Sequence, residues 1–215
     1  MLEEAELPVP RELWRLVEYI REHGLDDPHL FSEPGLQSDF SLIRAALDSS
    51  SPFPGLQGGV HSMFESLMRF LDSLPDPVVP VSFNTICLRA ASTCHPSTAC
   101  WQIVQEFPEI HKSTFKYLIT FLQEVLQHSS SNNTKEMLLS QLFMPYFLRL
   151  SNERERWNNN FNQLQRSKQA EADAAKRDQE ERAVAFIAHC IRYSCDTATA
   201  QNTQNTVVTN NLIEF

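Results

Sequence analysis

Glycine is scarce in this chain. Only five of the 215 residues are glycine, and three of them, Gly55, Gly58 and Gly59, crowd into one short stretch. A phosphate cradle needs glycines at fixed spacing where a strand turns into a helix, and neither GxGxxG nor a P-loop is present. Positive charge is also short: 18 Lys and Arg against 27 Asp and Glu leave a net charge of −9. Nucleic-acid binding draws on cations to displace counterions from phosphates, so no nucleic-acid partner is expected. No apolar run approaches the ~18 residues of a membrane span. Direct membrane insertion is therefore not expected, and a membrane role would act through partners or another domain. The first ten residues are acidic and contain proline, unlike a signal peptide.

Paired metal and thiol motifs are missing too. The cysteines, Cys87, Cys94, Cys100, Cys190 and Cys195, are odd in number and none forms CxxC, which reads as reduced thiols in a cytoplasmic protein. The seven histidines include no HExxH and no i, i+4 pair, so neither a metal site nor a cofactor is implied. GxSxG is absent, and Cys100 or Cys190 as a nucleophile would need a positioned base that the sequence does not identify.

What is present is helical periodicity. Leu13, Leu16, Val17 and Ile20 predict an amphipathic helix over 10–23, with Pro10 in its first turn and Gly24 as its stop. Trp14 lies about 100° off that stripe. It either covers the helix start against Leu2 or Leu7, or stands as an aromatic anchor for a partner, a role in which Trp is enriched. A second helix is expected over 38–48, capped by Ser38 or Asp39. The strongest pattern is 60–73, where Phe64, Leu67, Met68 and Leu71 fall at i, i+3, i+4 and i+7. It ends in LPDPVVP, a rigid extended corner because proline fixes φ and removes donors. Further helices are expected over 83–91, which Pro96 breaks, and over 98–106 and 111–128. Ser129–Asn133 reads as a polar turn, with Thr134 capping a helix toward Leu150. Residues 151–182 are dense in charge, either an exposed helix or a disordered insertion, with Trp157, Phe161 and Leu164 able to pin its first part. An apolar helix over 183–193 should close the core. The domain is thus expected over 10–193, between a linker end (1–9) and a disordered tail (194–215). No alternating strand is evident. The fold class is all-α, an irregular bundle of about eight or nine helices.

Three stretches in order, LFSEPG (30–35), FLDSLPDP (70–77) and FMPYFLR (143–149), resemble the RhoGAP family's GIFR loop, its LPEP corner and its FGPNLLR segment. LWRLVEYI, DPHLFSEPGLQSDF, VHSMFESLMRFLDSLPDPVV and FPEIHKSTFKYLITFLQEVL resemble more narrowly the C-terminal RhoGAP-like domain of the inositol polyphosphate 5-phosphatases. In that family the domain follows a phosphatase domain and an ASH domain, so the chain would be a C-terminal piece of a longer protein.

On that pattern the arginine finger falls at Ser32, the third-helix Lys at Met68, the Arg before the corner at Asp72, and the Asn and Gly of FGPN at Tyr146 and Met144. A GAP arginine neutralises charge on the transferred phosphoryl, worth ~10³–10⁵ in rate; Ser32 is neutral and short. Arg44 and Arg69 are the candidates to replace it. With these positions changed, the resemblance implies a catalytically inactive interaction module and no enzyme. Its implied partners are endocytic adaptor proteins carrying Phe/His-containing helical peptides, the F&H motif. Trp14 would be the anchor, Leu13 and Val17 would border the site, and Glu12 or Glu18 would meet the partner's His. The alternative is a weak Rho-family GTPase binder or GAP acting on Rac or Cdc42; a third possibility is a domain that stabilises a neighbouring ASH domain. The implied location is cytoplasmic, with recruitment to endosomes, Golgi or endocytic sites through partners and the parent protein.

Overall fold

The stripe of the first helix is buried as its spacing predicts: Leu13, Leu16, Val17 and Ile20 have no solvent exposure. This computed structural model describes residues 9–49, 58–150 and 173–193. Among the described residues there are nine α-helices and no strand. They are α1 (Arg11–His23), α2 (Gln37–Asp48), α3 (Val60–Ser73), α4 (Asn84–Ala90), α5 (Pro96–Gln105), α6 (Glu109–Gln127), α7 (Ser129–Asn132) and α8 (Glu136–Phe147), then α9 over 173–193. A 3₁₀ turn, Val81–Phe83, leads into α4.

The all-α architecture agrees with the sequence, and several boundary details do not. Pro96 opens α5 instead of merely ending its predecessor, because the first helical position has no use for the missing N–H. The polar stretch after α6 winds into the short α7, which Asn133 ends in a left-handed conformation (φ 55°). Thr134 does not cap α8; its N–H goes to Asn132 Oδ1. Of the charged stretch 151–182, residues 173–182 are helical and continue into the apolar 183–193 segment. Trp157, Phe161, Leu164, the tail from 194, and Leu2 and Leu7 lie outside the described residues.

α3 is the pivot. It buries Met63, Phe64, Leu67, Met68 and Leu71 and touches α1, α2 and α8. α1 ends close against it: a Cβ on Gly24 would meet Val60 Cγ2, and the Ile20 carbonyl at 3.2 Å, so a larger residue there would force the Val60 side chain to shift. A run of rings extends from α3 through the core. Phe64 meets Phe143 (6.3 Å between centroids), Phe143 meets Phe147 (5.9 Å), Phe147 meets Phe115 (5.4 Å) and Phe115 meets Phe186 of α9 (6.0 Å). These separations favour ring-to-ring contact, and Phe186 ties the last helix to the centre.

Both ends of α3 are satisfied from elsewhere in the chain. At its start, neither Ser38 nor Asp39 caps α2, whose N-cap position is Leu36. Asp39 caps α3 instead: its Oδ2 accepts from Gly59 N–H (3.1 Å) and from Ser62 Oγ (2.7 Å). The bond from Ser62 first, and that from Gly59 next, hold the Asp39 carboxyl below its usual range. At the other end, Arg149 donates to the carbonyls of Asp72 (2.9 Å), Leu74 (2.6 Å) and Pro75 (3.1 Å). Beside it, Val79 N–H donates to Phe147 O (2.9 Å) and Asn84 Nδ2 to Arg149 O (2.9 Å).

Replacing Arg149 by Ala removes all three side-chain bonds and should cost roughly 2–4 kcal/mol in urea unfolding. Arg149→Lys should recover less than half, since one ammonium cannot reproduce a planar fork; full recovery by Lys would show that the charge alone matters. Asp39 makes a pH prediction. Its native pKa lies below the unfolded value of ~3.9, so its stabilisation is complete above that value and lost as pH falls through the native one. The gap in unfolding temperature between wild type and Asp39→Ala should be full at pH 6 and shrink below about pH 4. A gap that stays constant to pH 2.5 would exclude this role.

Candidate functional site

Residues 24–36 form the loop that carries Ser32. Leu30 is fully buried, and the Phe31 ring stands edge-on to Phe64 at 5.0 Å. Gly35 lies so close to α3 that a Cβ there would meet Ser62 Cα at 2.7 Å. Its N–H donates to Glu65 Oε2 (3.1 Å), and Leu36 N–H donates to Ser62 Oγ (3.0 Å). His61 Nε2 lies 3.5 Å from Asp27 and 3.7 Å from Glu33. The loop is thus held by rings and backbone donors on either side of Ser32. Ser32 itself is exposed, with N–H and Oγ both directed to His29 O (2.9 and 3.3 Å).

The other positions of the GAP pattern follow along α3. Phe64, Met68 and Asp72 recur every four residues, so they share one helix face. Met68 is buried and gives the surface no charge. Asp72 is exposed at the helix end, near Tyr146 of α8. Burial, and then the Asp72 charge, raise the Tyr146 pKa. The face therefore runs from Ser32 to Asp72 and Tyr146 over roughly 12 Å of helix, with a serine at its loop end and, at the other, Asp72, whose carbonyl accepts from Arg149. Neither substitute arginine stands in the loop. Arg69 is committed to Glu65 (2.7 Å) and stacks over Phe40, 3.9 Å from the ring centroid. The Arg44 side chain is 86% exposed on α2 and reaches only to Asp48, at 4.0 Å.

The first helix carries the second candidate region. Trp14 is half-buried and packs partly against the core, between the two readings its off-stripe position allowed. Leu13 and Val17 are fully buried. Fully buried side chains cannot line a surface groove, so Leu13 and Val17 belong to the core against which Trp14 packs. Glu18 is part of a network with α6 that the sequence did not signal, because its members lie about a hundred positions apart. Glu18 Oε1 accepts from Tyr117 (3.0 Å) and pairs with Arg21, while Arg21 also bridges to Glu124 at 2.5 and 3.2 Å. Burial alone would lower the Arg21 pKa, but its bond to Glu124 and the neighbouring charges raise it. Burial, and then Glu18, push the Tyr117 hydroxyl far up, so it remains a donor.

Other chemistry gains no support. Cys87, Cys100 and Cys190 are buried free thiols; burial pushes Cys87 up to about 12, which keeps it un-ionised and unreactive. Among the described residues no group of three or more His, Cys, Asp or Glu is arranged to hold a metal ion. No described helix is long and apolar enough to cross a membrane.

Comparison with known proteins fits this geometry. Residues 10–152 match the RhoGAP domain. Mouse type II inositol 1,4,5-trisphosphate 5-phosphatase is 36% identical over 146 residues, covering 68% of this chain and 14% of that protein. Mouse Rho GTPase-activating protein 22 is 29% identical over 142 residues, covering 62% and 20%. The chain thus spans a small part of these relatives' length. Among solved structures, human Rho GTPase activating protein 15 superposes with a TM-score of 0.65 at 20% identity, covering 84% of this chain and 82% of that one. The BH domain of GRAF, the GTPase regulator associated with focal adhesion kinase, gives 0.68 at 16% identity, covering 84% and 89%. These two likenesses show the fold. The matched segment takes in the loop of Ser32, the whole of α3 with its proline corner, and the Arg149 that closes it: the chain belongs to the RhoGAP family.

Proposed function

We propose that this RhoGAP-like domain is a catalytically inactive interaction module, part of an inositol polyphosphate 5-phosphatase, that binds F&H-type helical peptides of endocytic adaptors. The observation that carries the loss of catalysis is the state of one face: a firmly held loop that presents Ser32, a buried Met68, and Asp72 beside Tyr146. A finger works by placing positive charge against the transferred phosphoryl. Here the loop tip carries a hydroxyl in place of a cation, and the guanidinium at the far end of the face, Arg149, is engaged with the carbonyls of Asp72, Leu74 and Pro75. The 36% identity to a 5-phosphatase supports the parent protein. Recruitment to endosomes, Golgi or endocytic sites would follow from adaptor binding and from that parent.

The peptide site is placed at Trp14. An amphipathic helix binds through an apolar anchor and a few polar contacts at helical spacing. Trp14 offers a partly exposed ring one turn from Glu18. Glu18 Oε1 is occupied by Arg21 and Tyr117, which orients the carboxylate and leaves Oε2 for a partner's His. The competing reading, binding to or weak GAP activity on Rac or Cdc42, draws on the GTPase-activating proteins among the relatives.

Two measurements separate these readings. Trp14→Ala should weaken a synthetic F&H peptide by about 30-fold, the size of a hot-spot loss of ~2 kcal/mol, measured at a temperature where the variant, which also gives up core packing, is still fully folded by circular dichroism. Unchanged affinity would sink the site assignment. In GTP hydrolysis assays with Rac, Cdc42 and Rho, the wild-type chain should leave the intrinsic rate unchanged. Ser32→Arg should recover far less than the ~10³–10⁵ an arginine finger supplies, because Met68, Asp72 and Tyr146 remain. Clear acceleration by wild type would overturn the inactive reading.

A further inference from the structure

α4 and α5 pack against each other as an antiparallel hairpin joined by residues 91–95, and an open groove of about 400 Å³ runs between them. Its floor is aliphatic: Ile86 and Ala90 on one side, Ala99 and Ile103 on the other. Ile86 remains 39% exposed. The ends carry opposite charges. Arg89 sits beside the hairpin turn, and Glu106 sits just past the last turn of α5, at the far end. Both are exposed, and among the described residues neither has an ionic partner. Glu106 is also misplaced for its own helix, because a carboxylate at a helix C-terminus opposes the dipole. Nothing in the hairpin's own stability calls for that charge.

We propose that this groove docks a two-turn amphipathic helix of a partner protein, with a carboxylate at its N-terminal end, two aliphatic residues in the middle and a Lys or Arg at its C-terminal end. The length follows from the groove. Ala99 to Glu106 is seven residues, or roughly 10 Å of helix, and an occupant with charges seven positions apart spans the same distance. The aliphatic pair falls at the third and fourth positions after the acid, on the same face, over Ile86 and Ile103. The direction follows from charge. The acid meets Arg89 and the base meets Glu106, and an acid-first helix also complements its own dipole. The reading is independent of Trp14, which lies on α1.

The test uses a fluorescein-labelled synthetic peptide built on Glu-Ala-Ala-Leu-Leu-Ala-Ala-Lys, titrated into the full chain by fluorescence anisotropy. Wild type should bind saturably. Arg89→Glu should weaken binding at least tenfold with an unchanged unfolding temperature, which keeps a folding defect from passing as lost affinity. The double variant Arg89→Glu/Glu106→Arg should prefer the reversed peptide, Lys-Ala-Ala-Leu-Leu-Ala-Ala-Glu. No saturable binding to wild type, or equal affinity across the variants, would overturn the proposal. Binding that appears only after removal of residues 194–215 would assign the groove to the chain itself and equally overturn it.

Discussion

A helix that ends in Leu-Pro-Asp-Pro cannot finish its own hydrogen bonds. Pro75 and Pro77 bring no N–H to the open carbonyls of the last turn, and the fixed φ of each proline turns the chain away before another donor arrives. The missing donors come from Arg149, seventy-odd residues later, whose planar guanidinium serves Asp72, Leu74 and Pro75 together. A flexible ammonium would not hold three carbonyls in one plane. Once the corner is closed, Val78 and Val79 drop into the core, Val79 pairs with Phe147, and α8 is held against the end of α3. The central helix, the corner and α8 are in this sense one construction.

The same helix holds the Ser32 loop without help from the residue at its tip. What positions the Ser32 loop is Leu30, Phe31 and Gly35 together with the acceptors Ser62 Oγ and Glu65 Oε2, which take the N–H groups of Leu36 and Gly35. None of these contacts uses the side chain at the tip. The tip is therefore replaceable without cost to the frame, and so is the exposed Asp72 side chain, whereas Met68 belongs to the core. The partner-facing charge of a catalytic face and the apolar skeleton that holds it are separable because they use different atoms. On the first helix the separation runs the other way. Leu13 and Val17 are wholly committed to the core, while Trp14 and Glu18 are partly exposed.

Periodicity carried most of the architecture. The stripes of α1, α3 and α6 fall where their apolar residues recur, because burial on one face of a helix is a local property of spacing. The proline corner and the stop at Gly24 were equally legible, since their effects act on the residue itself. Caps and ion pairs were not. Asp39 stands in the first turn of α2 and reads as its cap, yet it serves α3 twenty residues on. Glu18, Arg21, Tyr117 and Glu124 give no sign in sequence that they form one network, and Arg149 looks like any surface arginine after an apolar run. In each case the partner is set by which helices lie side by side, and no local spacing encodes that.

The sequence by itself determined the class, the central place of the helix over 60–73 and the family to which the loop of Ser32 and the proline corner belong. These follow from residue identity and from periods of a few residues. Only the tertiary structure decided that Leu13 and Val17 are buried, that Arg69 is already engaged with Glu65 and Phe40, and that Arg89 and Glu106 line the same partly aliphatic groove. Exposure and charge pairing depend on what is packed against a side chain, and those neighbours are brought together by the fold across long stretches of chain.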